Sequence, residues 1–446
     1  MGQGILGVGV NATQSPQLFE YTQGLDVDRL FAAEEVQVQQ AWVVALAEEG
    51  TLSAEEARQL HQALAEVLAE MQAGTFPWHI EDEDIHMNIE RALGEKVGPE
   101  AKKIHTGRSR NDLVATTLRL YVARQMGELR QALVQLQQVL QTLAQQHQEV
   151  LLPGMTHLQF GQPTRLGHVI SAHIHSLRAD EELVDLCLRR CLAYCPLGAG
   201  AFAGTHLQVD LTRLAQQLGF AAPCPHSYHA VGDRDFMLTA LSAMQMLATH
   251  VGRLCEEWLF FSSSAVGVLC LPPRWSSGSS MMPNKRNPDV LEISRARVVQ
   301  ILHTCAEGFA IVRGVIPSYG SDLHELKRTF VRAHSLSATV LQYLRAFAAE
   351  LEVNPDACAQ HLGRGHILAT ELANQLTAQG TPFREAYTQV AAWVAQAEAE
   401  GVQVHQLAAA AGVDFMQAVE KRTNCGGSAR EQALQATQAE VRSTPE

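Results

Sequence analysis

Apolar residues recur along most of the chain with the spacing of a helix rather than of a strand. The clearest run begins near Asp112 and ends at Val150, before Leu151-Leu152-Pro153-Gly154. Within it Val122, Met126, Leu129, Leu133, Leu136, Leu140 and Leu143 alternate at spacings of four and three, with Gln, Arg and Glu between. That is a heptad seam. At about 1.5 Å per residue the helix would be on the order of 55 Å long. Nothing that long packs alone in a compact monomer, so the seam predicts a helix bundle shared between subunits. Further helical patterns run from about Arg234 to Ser262, from Pro288 to Arg313 and from Leu326 to Glu350, and an alanine-rich one covers Ala54 to Ala73. Period-two alternation is scarce, and Pro/Gly clusters fall between the helices. After Val353-Asn354-Pro355 come shorter helices, broken at Gly380 and Gly426-Gly427. The expected fold is all-α. It comprises an N-terminal helical domain over 1–108, a central long-helix bundle over 109–360 and a C-terminal helical domain over 361–446.

Composition narrows the function. A net charge of -13 with no Lys/Arg block argues against nucleic acid or an anionic membrane as partner. The first positive residue is Arg29, so the start lacks the charged region of a secretory signal, and the apolar run Ile5 to Val10 is too brief to span a bilayer. MGQGIL has Leu6 where a myristoylation signal needs Ser or Thr. Nine scattered cysteines without a CxxC pair fit reduced thiols in a cytoplasmic protein. Cys187, Cys191 and Cys195 would share one helix face, which reads as core rather than as a metal site. The nineteen histidines form no HExxH pattern. Neither a metal nor a cofactor is expected.

Candidate chemistry concentrates in four segments. The most informative is Gly278-Ser279-Ser280-Met281-Met282-Pro283-Asn284-Lys285-Arg286-Asn287, which runs into Pro288-Asp289-Val290-Leu291-Glu292. It collects hydroxyls, backbone N–H groups, an ammonium and a helix start, with Asn287 as expected N-cap and Pro288 as first helical residue. Such a set suits a small dianion. By composition alone it is also an ordinary Ser/Gly loop. His105 to Asp112, reading HTGRSRND, opens the long helix with two arginines and an asparagine that can clamp a carboxylate. Gly154-Met155-Thr156-His157-Leu158-Gln159 places a donor and a titratable ring just past a Pro-Gly turn. Glu81-Asp82-Glu83-Asp84-Ile85-His86 reads as solvated acidic surface or an N-cap.

The order of residues adds more than their composition. GSSxMPxKxN followed by proline resembles the signature of the fumarase/aspartase superfamily, whose members release fumarate from a substituted succinate. HTGRSRND, EDIHMNIE at Glu83–Glu90, PGMTHLQ with Gln162-Pro163, and DRDF at Asp233–Phe236 resemble one branch, the argininosuccinate lyases with the related delta crystallins. ATELA at Ala369–Ala373, PFREA at Pro382–Ala386 and GGSA at Gly426–Ala429 look like that family's C-terminal domain. The resemblance covers roughly Asp28 to the end.

What the resemblance implies is an anti elimination from an N-substituted aspartate, without metal or cofactor, by a homotetramer whose sites draw residues from three subunits. It implies Ser279 as the base, supported by Lys285, with His157 in acid–base work and Glu292 paired to it. Ser280, Arg110, Asn111, Thr156 and Asn287 would hold the substrate's carboxylate side. Tyr319, His324 and Lys327 would hold the rest, with Asp84 and Arg234 also binding substrate. Two positions depart from the family. Gly24 stands where the family has a serine, and His324 where it has a glutamine. The stretch His226 to Gly232 also differs. These changes gather on the amine side. They leave open the same elimination on another N-substituted aspartate, and a crystallin-like structural tetramer is the reading outside enzymology. If the His324 ring binds the amino acid's carboxylate as a cation, KM should worsen as pH rises through its pKa.

Overall fold

The computed structural model describes residues 15–407 and 412–438. The apolar run Ile5 to Val10 and the MGQGIL start lie outside the described residues. Helices dominate, and the strands among the described residues form four two-stranded pairs. The chain divides into two compact units.

The first unit takes 1–130, 183–245 and 301–336. Helices Ala32–Glu49 and Ala54–Ala73 pack together in it. The second begins at a capping box in which the Ser53 side chain accepts from Glu56 N and the Glu56 carboxylate accepts from Ser53 N. It ends at Gly74 in the left-handed conformation. Helix Ile85–Val97 lies against it. An aromatic column of Phe31, Tyr121 and Phe330, with centroids 5.5 and 6.1 Å apart, fills part of the core, and Trp42 is also fully buried.

The second unit takes 131–182, 246–300 and 337–446. Its core includes Trp258 and Phe347, 6.2 Å apart, and a C-terminal cluster of Leu372, Ala386, Val390 and Leu407. An antiparallel hairpin, Leu151–Thr156 with Gln159–Arg165, stands in this unit. Helix Pro355–Leu362 packs on its first strand and helix Phe415–Glu420 on its second.

The long helix runs Arg110–Gln146, and Ala54–Ala73, Asp235–Ser262 and Asp289–Arg313 fall within a residue of expectation. The next helix, Asp322–Ala349, starts a turn earlier than the apolar pattern shows, because its first turn carries Asp322 and Glu325. Three expectations need correction. The seven seam side chains are all buried within the single chain, so the seam does not itself require a second subunit. Long neighbours lie beside it: Gln137 Nε2 donates to Leu177 O, and His334 Nε2 meets Gln125 O at 3.0 Å. One of those neighbours, the 27-residue helix Leu166–Leu192, escaped the periodicity reading. It also carries Cys187 and Cys191, whereas Cys195 lies past its end in a two-residue strand. All three cysteines are buried. Pro153-Gly154 is no turn; it lies inside a strand, and the chain reverses at His157-Leu158.

Candidate active site

Two constellations of expected site residues form, one in each unit. In the first, Asp84 begins helix Ile85–Val97 by accepting from Met87 N at 3.0 Å. Of the two readings of this acidic run, the N-cap holds for Asp84 and the solvated surface does not. Asp84 shares its helix face with Ile85, Asn88 and Ile89, and all four are buried. Its free oxygen takes the Arg110 guanidinium, which also lies 3.6 Å from Glu83. Arg110 thus opens the long helix already clamped between carboxylates, while Asn111 Nδ2 donates to Ala201 O. Burial pushes the Asp84 carboxyl up, but His86 and Arg110 outweigh it and hold the group below its ordinary range.

Behind Asp84 sits a pair that motif reading did not assign. His86 Nδ1 meets Glu35 Oε1 at 2.6 Å, and Thr117 Oγ1 donates to the other Glu35 oxygen at 2.7 Å. Burial opposes the imidazolium, yet Glu35 and Asp84 raise its pKa above the usual value.

Helix Asp322–Ala349 supplies the other side of this cluster. Lys327 Nζ lies 2.8 Å from Asp28 Oδ1, with both side chains buried, and 5.4 Å from the Phe31 ring centroid. The Tyr319 hydroxyl meets His324 Nε2. The two departures from the family pattern are neighbours: a Cβ added to Gly24 would lie 3.4 Å from His324 Nδ1 and 3.5 Å from Asp28 Oδ1. Asp28 Oδ2 and His324 Nδ1 are both shut off from solvent without a hydrogen-bond partner. Burial, aided by the charges of Lys327 and Arg110, drives the His324 pKa down to about 3. A ring with that pKa is neutral near pH 7, so a cationic grip on a carboxylate would require the carboxylate itself to raise it. Burial likewise lifts Tyr319 to about 12 and lowers Arg234 to about 10. Arg234 is buried and spends Nη1 on the carbonyls of Val231 and Asp233.

The second constellation is built from backbone rather than charge. Ser277–Gly278 pairs antiparallel with Arg286–Asn287, closing a loop over 279–285. Ser277 N donates to Asp289 Oδ2 at 2.7 Å, and Asn287 Nδ2 donates to Ser277 Oγ at 3.1 Å. The side-chain and backbone bonds from Ser277 hold the Asp289 carboxyl below its usual range. Asn287 is thus a loop clasp and not the N-cap expected of it, and the helix begins at Asp289, not Pro288. Inside the loop Ser279 Oγ accepts from Met281 N at 3.2 Å and Met282 N at 3.0 Å. Two N–H dipoles aimed at one hydroxyl oxygen favour negative charge there. Ser280 and Lys285 are exposed on the same loop, and Glu292 is exposed in the first turn of the following helix.

Thr156 and His157 sit at the end of the hairpin, exposed. Thr156 faces Gln159 across a two-residue turn in which His157 has φ 55° and Leu158 φ 58°. That is the type I′ geometry, which favours Asn-Gly. Non-glycine residues there store roughly 1–3 kcal/mol each, a cost met mostly at functional positions. Among the described residues no ion pair joins His157 to Glu292.

The fold and these motifs define an all-helical lyase of the fumarase/aspartase type. A lyase family model matches residues 10–302, and an argininosuccinate lyase C-terminal model matches 366–424. An argininosuccinate lyase of Nitratidesulfovibrio vulgaris Hildenborough is 39% identical over 388 residues, covering 87% of this chain and 84% of its own. One of Hyphomonas neptunium is 39% identical over 408 residues, covering 91% and 87%. Among solved structures, EDDS lyase in complex with formate aligns with a TM-score of 0.81 at 22% identity, covering 96% of this chain and 89% of that one. A class II fumarase from Schistosoma mansoni aligns at 0.74 and 17%, covering 91% and 90%. The chain belongs to the argininosuccinate lyase family.

Proposed function

We propose that the protein cleaves argininosuccinate to arginine and fumarate by anti elimination. The observation that carries this reading is the Ser279 hydroxyl held by two backbone N–H groups, in a chain 39% identical to argininosuccinate lyases over most of its length. Ser279 as alkoxide takes the weakly acidic Cβ proton. The electron pair delocalises into the neighbouring carboxylate, which Lys285, Asn287, Arg110, Asn111, Thr156 and Ser280 stabilise by preorganised donors. The C–N bond then breaks, the pair going to the guanidino nitrogen, which takes a proton through His157; Glu292 sets that imidazole's basicity. The two N–H groups on Ser279 Oγ support the base role, because they offset the cost of an alkoxide at neutral pH.

The amino-acid end of the substrate falls to the other constellation. Asp28 Oδ2 and His324 Nδ1 are unsatisfied beside Gly24. An α-ammonium donating to Asp28 and a neutral imidazole would meet them, with Tyr319 and Lys327 alongside. Asp84 fixes Arg110, and Arg234 stiffens the adjoining backbone. The same neighbourhood favours a second reading, an N-substituted aspartate other than argininosuccinate, because both changed positions meet at this one spot. Nothing in the structure favours a purely structural tetramer.

The active form is a homotetramer with composite sites. Exposed apolar residues on three helices, Met246, Ile293, Phe309 and Tyr343, support association. Fumarate release from argininosuccinate, followed by absorbance, tests the reaction; its absence with faster release from another N-substituted aspartate would select the second reading. Reassembling inactive Ser279→Ala chains with inactive His157→Asn chains should restore part of the activity. No recovery despite proven mixing would rule out shared sites.

A further inference from the structure

The second unit carries an open pocket of about 800 Å³. One wall is the flank of the hairpin, including Thr156 and Gln162, but not the tip residues His157 and Leu158. Helix Leu166–Leu192 contributes His168 and His173, and helix Asp235–Ser262 contributes Arg253 and Glu257. The remainder comes from C-terminal motifs that the reaction leaves unused. These are Thr370 of ATELA, and Gly426-Gly427-Ser428 of GGSA, with Arg422 before them. A space of this size accommodates a small organic molecule.

Its charge is unbalanced in one direction. Glu257 is occupied by His173 Nε2 at 2.7 Å, and nearby Asp180 by His250 Nδ1 at 2.9 Å. Arg253 and Arg422 have no acidic partner among the described residues. Arg422 Nε and Nη2 are shut off from solvent without a hydrogen-bond partner, as is His168 Nδ1. Unmet guanidinium donors are costly, and an anion is their natural complement. The backbone is shaped to the same end. A Cβ on Gly427 would lie 2.1 Å from Arg422 O, so the turn that brings Arg422 against this wall admits only glycine. Thr370 lies in the first turn of helix Ala369–Ala378, and Ser428 lies two residues ahead of helix Arg430–Gln438, so both lining hydroxyls sit at or just before helix starts.

We propose that this pocket, which shares Thr156 with the substrate's carboxylate side, is a second ligand site for a small organic anion carrying a phosphate or carboxylate that Arg253 and Arg422 grip. Thr156 belongs to both this wall and the turn that carries His157, so an occupant would restrain the catalytic hairpin. Only that link to turnover rests on the lyase reading; the binding does not.

The test is calorimetric titration of the full-length protein with inorganic phosphate and, separately, with succinate. It is repeated on the Ser279→Ala protein saturated with argininosuccinate, which keeps the reacting centre filled. At least one probe should bind in both preparations. Arg422→Gln and Arg253→Gln should each weaken that binding by about tenfold or more, while fumarate release without probe stays near native. A response to phosphate alone identifies a phosphate ligand, and one to succinate alone a carboxylate. Undiminished binding in both arginine variants would overturn the proposal. So would silence from both probes at tens of millimolar, or loss of all binding once argininosuccinate is bound. Should argininosuccinate itself fail to bind, the arginine dependence in the native protein still decides the matter. Arg253 is exposed, so its variant keeps the test valid if Arg422→Gln does not fold.

Discussion

The Asp28–Asp84–Arg110 cluster and the Ser279 loop are built on opposite plans. The cluster is a buried set of opposed charges, Asp84 with Arg110 and Lys327 with Asp28, and the titrations of Asp84 and His324 within it are displaced by burial and neighbouring charge. The loop carries its hydroxyls and its ammonium near the surface and is shaped by backbone pairing, N–H groups and one asparagine clasp. On the reaction proposed above, the difference would separate two functions. Recognition of a charged amino acid benefits from rigid, dehydrated partners whose charge is fixed by their neighbours. Proton abstraction needs a group whose charge appears only briefly, and backbone dipoles stabilise that charge without a permanent counter-ion. The two regions should therefore fail differently when damaged.

The largest effect is expected at Ser279. Ser279→Ala should lower kcat by on the order of 10²–10⁴-fold or more, with the melting temperature unchanged, because the hydroxyl contacts only its own loop. A correctly assembled variant with near-native turnover would place the base elsewhere. The buried cluster should show the reverse. Lys327→Ala leaves Asp28 buried without its counter-charge, a loss of about 3–5 kcal/mol in stability. Denaturant unfolding measures it, and a drop below about 1 kcal/mol would mean that water reaches the pair.

A gentler probe acts where the departures meet. Gly24 is followed by a short helix, its φ of -118° suits any residue, and a serine hydroxyl introduced there could reach the unpaired Asp28 Oδ2. Gly24→Ser should stabilise the protein by about 0.4–1 kcal/mol by restricting the unfolded chain. With His324→Gln it should lower KM for argininosuccinate more than it changes kcat. An unchanged KM would separate these positions from the amino-acid end.

A further effect concerns protons. His324 titrates near 3 when folded and near 6.5 when free, so between those values the unfolded chain binds more protons. Stability must therefore fall as pH drops below about 6.5, by at most about 1.4 kcal/mol per pH unit from this group. The glutamine variant should lose less on acidification, and KM above pH 7 should show no step that depends on His324. Parallel melting curves of the two proteins from pH 7 to 4.5 would expose a wrong assignment.

Local periodicity was enough for most of the long helices, since the 3.6-residue rhythm in Arg110–Gln146 and Asp289–Arg313 needs no partner to be read. Motif order was enough for the family, because GSSMMPNKRN and HTGRSRND combine residue types that packing alone would not select. The hairpin was illegible because Leu151–Arg165 contains Pro153, Gly154, Gly161 and Pro163, residues that ordinarily interrupt strands, and the pairing across it depends on register. Leu166–Leu192 was obscured by histidines and charges at positions where a bundle interior tolerates them through pairs such as His250–Asp180. Asp28, Glu35 and His86 could not be singled out either. A carboxylate looks the same in sequence whether it meets water or a buried cation, and only the tertiary fold brought Lys327 to Asp28 across about three hundred residues of chain. What the sequence determined on its own was what neighbours along the chain decide: helical phase, loop chemistry, family. Burial, charge state and the meeting of Gly24 with His324 depend on distant segments closing on one another, and those the three-dimensional packing alone decided.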